Sequence, residues 1–396
     1  MTDNLAPLFL LDPEVVFLNH GSFGACPKPV FQAYQDWQMR LERQPVAFLD
    51  PVRGYSAWMR DARVALSGFL GADPDDLVGV MNATVGLNIV AQSLDLKPGD
   101  EILTTDHEYA ALEKTWAYVA RRTGAKVVMV TIPLPLTDEA QFTGAVVGGM
   151  TDRTRVLFLS HITSATALVF PVEAAVREAR ARGILSVIDG AHVPGHIPLD
   201  LNALDADFYA GNCHKWLMAP KGSAFLHVRR DLQRTINPLV ISHGWTADLH
   251  EPGAGGMFGN TPFIDSLEMQ GTRDPAAWLT VPDAIRFRQD HDWDSVAARC
   301  RDLVQETAAR VARMTGLAPF AAPRFCAPQM VAMPVPRTDP KALQAALMEQ
   351  FRIEIPCFEW KDHCIVRVSA QGYNTRADMD VLVEGLASLL TLDLAA

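Results

Sequence analysis

Apolar residues in the first two thirds of the chain fall in short consecutive runs. LVGVM (77–81), EILTT (101–105), KVVMVTI (126–132), RVLFLS (155–160) and ILSVID (184–189) predict strands. Consecutive rather than alternating apolar positions are what a sheet needs when helices cover both faces. Between the runs lie amphipathic segments. A helix over 84–94 follows Asn82 as a cap, and one over 109–122 follows Asp106. A third, over 172–182, starts after Pro171 and stops at Gly183, the expected placement of the two breakers. Alternating strands and helices with short links predict a largely parallel α/β sheet. Ahead of it, Val30, Tyr34, Trp37 and Leu41 share one helical face.

The pattern changes near residue 270. Helices are expected over 275–292 and 294–314, then a strand over 329–335 and a helix over 340–351. Strands over 352–357 and 364–370 and a last helix over 375–390 complete a small α+β unit. The segment HEPGAGGMFGNT (250–261) predicts a loop at the junction. The expected division is an N-terminal segment (1–18) packing with the small unit, a large unit (19–270) and a small C-terminal unit (271–396).

Length and composition narrow the class. The 396 residues are 49% hydrophobic and 20% charged, enough for a sizeable core. A net charge of -11 disfavours nucleic acid and anionic membranes as partners, because the field repels phosphates. No run of apolar residues is long enough for a membrane helix. The start, MTDNLAPLFLLDPEVVF, has no basic n-region, and the six cysteines contain no CxxC pair. A cytoplasmic protein without a disulfide framework is expected, and no metal site is predicted. GxGxxG after the first strand, GxxxxGK[ST], HExxH and GxSxG are all absent, which points away from hydride transfer, nucleotide hydrolysis and serine hydrolysis.

The chemistry gathers in DFYAGNCHKWLMAPKG (207–222). Lys215 ends an apolar strand between His214 and Trp216. A lysine in a dry pocket beside cations loses its proton easily and becomes a nucleophile; a surface lysine on a loop is the plainer alternative. Asp189 ends the strand ILSVID, where it could cap the next helix or bind a protonated ring nitrogen. Ala83 and Thr84, after Asn82, start a helix whose free N–H groups suit a phosphate monoester or form an ordinary cap. His107, in TTDHEYAALEK, could stack on a planar ring or be a polar loop residue. The four features together supply a phosphate anchor, a stacking face, a pyridinium partner and a Schiff-base lysine, all at strand ends. That combination selects pyridoxal 5'-phosphate.

The sequence resembles the class V aminotransferases, among the fold-type I pyridoxal-phosphate enzymes, and within them the isopenicillin N epimerase-like branch. The resemblance runs from FLNHGSFGACPKPV through MNATVGLN, TTDHEYAALEKTW, SHITSATALVFPV, VIDGAHVPG and GNCHKWLMAPKG to QGTRD and IVRVSAQGYNT. It implies a mostly parallel seven-stranded sheet sandwiched by helices. It also implies roles. Lys215 would hold the cofactor as an imine, Asp189 would pair with the ring nitrogen, and His107 would stack on the ring. His192, where relatives often carry Gln, would approach the phenolic oxygen. Ala83, Thr84, Asn212 and His214 would hold the phosphate, with Ser164 near the cofactor. Thr272 would reach the neighbouring subunit's phosphate, so the active site would be shared in a homodimer. Arg367 would bind the carboxylate of a small amino-acid substrate. Asn19, His20 and Ser22 would line the substrate mouth.

Two departures bear on activity. Desulfurases carry an Asn where SHITS has Ser164, and they need a mobile nucleophilic Cys. Cys357 and Cys364 stand seven positions apart without such a loop, so Cys357 is expected to be packing, as is Cys213. The implied activity is isopenicillin N epimerase-like chemistry at Cα or Cβ of an amino acid. A cysteine or cysteine-conjugate β-lyase or an aminotransferase is the alternative, and outside enzymes a non-catalytic binding protein that kept the fold. Tyr109, His20 and His243 are the residues available as a second acid.

Overall fold

The computed structural model describes residues 5–391. Positions 1–4 and 392–396 of the expected end segments lie outside the described residues. The strands in chain order are β1 (Val16–Phe17), β2 (Leu77–Val80), β3 (Glu101–Thr105), β4 (Lys126–Val130), β5 (Thr154–Ser160) and β6 (Leu185–Asp189). They continue as β7 (Phe208–Asn212), β8 (Ala224–Val228), β9 (Met330–Val335), β10 (Ile353–Glu354), β11 (Cys357–Trp360) and β12 (His363–Ser369).

Seven strands form the central sheet in the order β2-β8-β7-β6-β5-β3-β4. All neighbours are parallel except around β8, which runs antiparallel to both β2 and β7. Both faces are covered. On β5, Val156 and Phe158 join one apolar cluster while Leu157 and Leu159 join another on the opposite side. This is the physical reason for the consecutive apolar runs: each side chain meets a helix layer whichever way it points.

The chain leaves β3 for β4 on one side and returns to β5 on the other. Crevices for ligands open at such a reversal, beyond the carboxyl ends of the strands. In the register, Ser160 at the end of β5 stands beside Asp189 at the end of β6. Asn212 ends β7. The site residues are thus brought together by sheet geometry although they lie far apart in sequence.

The C-terminal sheet is β11-β12-β9, antiparallel throughout, with helices Pro340–Phe351 and Arg376–Leu390 beside it. The N-terminal segment reaches this region: β1 pairs in parallel with β10, and Leu5 N–H donates to Gly372 O at 3.0 Å. The expected 275–292 helix is two helices, Ala276–Leu279 and Val281–Asp290. Pro282 explains the break, because its ring cannot follow a carbonyl four residues back without a clash. These two pack on helices Lys28–Arg43 and Tyr55–Leu70 rather than on the small sheet. Asp106 does not cap the helix Ala110–Thr123; its carboxylate accepts from Ile132 N–H at 3.1 Å and pairs with Lys361. No helix among the described residues is long and apolar enough to cross a membrane.

The N-terminal helical turn His20–Phe23 closes over the loop after β7, and Gly24 makes this possible. Its φ is +71°, and a Cβ there would lie 2.0 Å from His214 O and 3.0 Å from Lys215 Cα. Both the backbone conformation and the close approach exclude a side chain. Gly24→Ala is therefore expected to destabilise the protein by about 2–4 kcal/mol. Thermal unfolding checks this; an unchanged midpoint contradicts the contact.

Candidate active site

A cavity of about 600 Å³ opens at the strand ends. Its walls include Ser22, Ala83, Thr84, Tyr109, Ser160, Ser164, Asp189, His192, Asn212, His214, Lys215 and Lys221. Another cavity of about 610 Å³ lies between Phe69 and Trp293. Chemistry, not volume, separates the two: only the first holds a lysine beside a buried carboxylate.

Lys215 sits in the turn after β7. Met218 N–H donates to the Lys215 carbonyl at 3.1 Å, and His20 Nε2 stands 3.0 Å from the same oxygen. The Lys215 Nζ lies 3.1 Å from His192 Nε2. Burial, and then the positive charge of Arg367, pull its pKa down to about 7, against the opposing pull of Asp189. A lysine so placed is a neutral nucleophile at ordinary pH.

Asp189 is 4% exposed and accepts one hydrogen bond, from Ala191 N–H at 2.9 Å. Burial pushes its pKa up, while Ala191 N–H and Lys215 pull it down. A carboxylate with spare acceptor capacity on the cavity floor suits a protonated ring nitrogen.

At the start of helix Ala83–Ser93 the donors are already shared out. Ala83 N–H donates to Asn212 Oδ1 at 2.8 Å, and Val85 N–H to Asn82 Oδ1 at 2.9 Å. The N–H and hydroxyl of Thr84 between them have no protein partner among the described residues. Asn212 thus braces the helix start, and the Thr84 donors stay free at a helix N-terminus, a place suited to an anion. His214 donates from Nδ1 to Ser223 O at 3.1 Å, and burial lowers its pKa to about 4. A neutral His214 thus presents a lone pair at Nε2, and it serves an anion only after gaining a proton. Lys221 lines the cavity and donates to Gly24 O at 2.9 Å; the sequence reading missed it.

Arg367 on β12 is 5% exposed and carries no carboxylate within ion-pair distance among the described residues. It donates to the Ser164 carbonyl and to Ser22 Oγ, the latter at 3.1 Å, while its Nε has no partner. Ser22 and Ser164 are cavity walls, so the guanidinium waits directly behind them.

Several expected positions differ. His107 does not face the cavity. It is fully buried, bonded through Nδ1 to Thr166 Oγ1 at 2.8 Å, with the Trp360 ring 4.6 Å away. Tyr109, two residues on and 44% exposed, is the ring on the cavity wall. The helix begins at Ala110, with Tyr109 extended at its N-cap position. Asn19 and His20 do not line the mouth either. Asn19 accepts from Ser22 Oγ at 2.5 Å and donates to Glu354, whereas His20 is buried against Tyr373 Oη at 2.9 Å. Only Ser22 of the three reaches the cavity. Thr272 and His243 are exposed and stand apart from the cavity of this chain.

Glu108 was not foreseen. It is buried, takes hydrogen bonds from Thr105 Oγ1 at 2.7 Å and Ser160 Oγ at 2.6 Å, and burial lifts its pKa to about 8. Its only sequence signal was a charge between two predicted elements. Cys357 is buried with its thiol pushed up to about 12 by desolvation, which is inert packing. Cys213 is buried likewise, 0% exposed.

The orphaned Thr84 donors, the underused Asp189 acceptor and the low-pKa Lys215 fit pyridoxal phosphate. Fold and site together define a fold-type I pyridoxal-phosphate enzyme. The sequence pattern described as "Aminotransferase class-V" matches residues 18–382, and the chain belongs to that family. It is 38% identical over 387 residues to isopenicillin N epimerase of Streptomyces clavuligerus, covering 96% of each chain. It is 31% identical over 411 residues to a probable chloroplastic L-cysteine desulfhydrase of Arabidopsis thaliana, covering 96% of this chain and 84% of that one. In fold it is similar to the cysteine desulfurase CsdA of Escherichia coli, with a TM-score of 0.81 and 24% identity over 98% of both chains.

The depressed lysine pKa gives a prediction. In protein stripped of cofactor, the rate of recombination with pyridoxal phosphate should rise with pH and reach half its maximum near about 7, where the amine loses its proton. A half-maximum near 10 contradicts the dry site.

Proposed function

We propose that the chain abstracts the α-proton of an amino acid and returns it on the other face, in the manner of its epimerase relatives. The carrying observation is the buried, carboxylate-free Arg367 beside the Lys215 cavity. A cation left without a counter-charge in a dry wall awaits an anion from the ligand. A substrate α-carboxylate supplies it, and its fork of two donors fixes the orientation.

When bound, the cofactor supplies an electron sink for negative charge at the α-carbon. This chain's residues do the rest. Lys215, its amine pulled toward neutrality by burial, would hold the cofactor aldehyde and would be the base for the α-proton. Asp189 keeps the ring nitrogen protonated. Thr84, with the helix start set by Asn212, holds the phosphate, and Tyr109 rather than His107 covers the ring. His192 approaches the phenolic oxygen. Tyr109, which also lines the cavity, is the group we assign to return a proton.

Phe23, Met81 and Tyr109 at the mouth are 71%, 59% and 44% exposed. Large apolar side chains seldom stay uncovered together. We place a second copy of the chain over them, with Thr272 of each copy turned to the other's phosphate. The division into segment 1–18, large unit 19–270 and small unit 271–396 belongs to the same reading, supported by the β1–β10 pairing and qualified by the packing of helices 276–290 on the large unit.

A β-lyase is the second reading, supported by the desulfhydrase relatives. Incubation in deuterated water separates the two. Deuterium at Cα with loss of optical activity and no keto acid is expected; pyruvate with sulfide from L-cysteine favours the lyase. Lys215→Ala should lower turnover by at least about a thousandfold; unchanged turnover defeats the assignment. Arg367→Lys should raise KM for amino acids about tenfold or more while leaving simple amines alone. An equal response to both removes Arg367 as the carboxylate clamp.

A further inference from the structure

His192 is gripped at both ring nitrogens. Its Nδ1 receives the indole N–H of Trp216 at 3.3 Å, and its Nε2 faces Lys215 Nζ at 3.1 Å. An indole nitrogen only donates, so Nδ1 of His192 must be the lone-pair nitrogen. The ring is buried, and burial, with Lys215, Arg367, His196 and His214 around it, keeps it uncharged. A neutral ring with an occupied Nδ1 lone pair carries its one proton on Nε2.

Trp216 is itself held rigidly. It is 0% exposed and stacks on His196, with ring centroids 3.8 Å apart and planes 21° apart. His196 is fixed by the same logic. It accepts the Gln329 backbone N–H at Nε2, 3.0 Å away, so it donates from Nδ1 to His192 O at 3.1 Å. Gly195, with φ +80°, lets the backbone lie against Trp216 O, 2.7 Å from where a Cβ would be. The assembly is a clamp built around one imidazole.

We propose that Trp216 is a positioning residue that fixes the Nε2–H tautomer of His192. His192 is then an obligate hydrogen-bond donor toward the Lys215 end of the cavity, to the free amine and, with cofactor bound, to its phenolic oxygen. The opposite tautomer would turn a lone pair on that oxygen. This deepens the pyridoxal-phosphate reading and rests on it. A donor on the phenolic oxygen favours the anionic, proton-poor state of the cofactor and lowers the pH at which its absorption changes.

The test is a visible-absorption pH titration of four holoenzymes: wild type, Trp216→Phe, His192→Gln and the double variant. Phe keeps the ring and loses the N–H. The midpoint in Trp216→Phe should rise by about one pH unit, a tenfold change in proton affinity. A Gln amide carries donors that need no tautomer. In the His192→Gln background the Trp216 substitution should therefore move the midpoint by less than about 0.2 unit. No shift in Trp216→Phe overturns the proposal, as does an equal shift in both backgrounds, which marks a packing role. Nitrogen-15 spectra of histidine-labelled wild type give a second readout should that variant fail to fold. A protonated Nε2 and bare Nδ1 on His192 are expected; the reverse overturns it. Wild type without visible absorption defeats the cofactor reading instead.

Discussion

The structure depends on one half-buried amine set among buried charged neighbours. Lys215 is hemmed by His192, Asp189 and Arg367, and every neighbour is buried. Charged ammonium is expensive there, which pulls the pKa of the side chain down to about 7. The rest of the site follows from this placement. The turn after β7 is pinned by His20, by Met218 and by Gly24, whose missing side chain admits the N-terminal segment. Of these N-terminal residues, His20 braces the turn from behind while Ser22 and Phe23 reach the cavity wall.

Arg367 and Asp189 bring opposite charges to this amine, and among the described residues neither has an ion-pair partner within contact distance. Asp189 comes from the central sheet and Arg367 from the small one, so the two charges are set by different layers of the fold. Ser22, Ser164 and the Ala191 N–H supply neutral hydrogen bonds that hold each charge in place while leaving capacity for ligands.

Much of this was legible in the sequence. Consecutive apolar runs marked the covered strands and put Lys215, Asp189 and Thr84 at their ends; Asn212 and His192, which only the family resemblance pointed to, line the same cavity. What periodicity cannot fix is rotation within a turn. His107 and Tyr109 differ by two positions in one turn, and Thr166, 59 residues away, holds the first inside while the second lines the cavity. Asp106 illustrates the same limit: it looked like a cap, but Ile132 N–H and Lys361 competed for it from distant segments. Glu108 and the Trp216 indole act through contacts 52 and 24 residues away, which no local pattern encodes.

The central claim is a covalent bond from one amine to a vitamin B6 aldehyde. Hydride reduction of the purified protein, followed by digestion and mass spectrometry of the fluorescent peptide, tests it most directly. The account predicts a single pyridoxyl label on the lysine of the peptide containing HKW. A label on Lys221, or on no lysine at all, contradicts it.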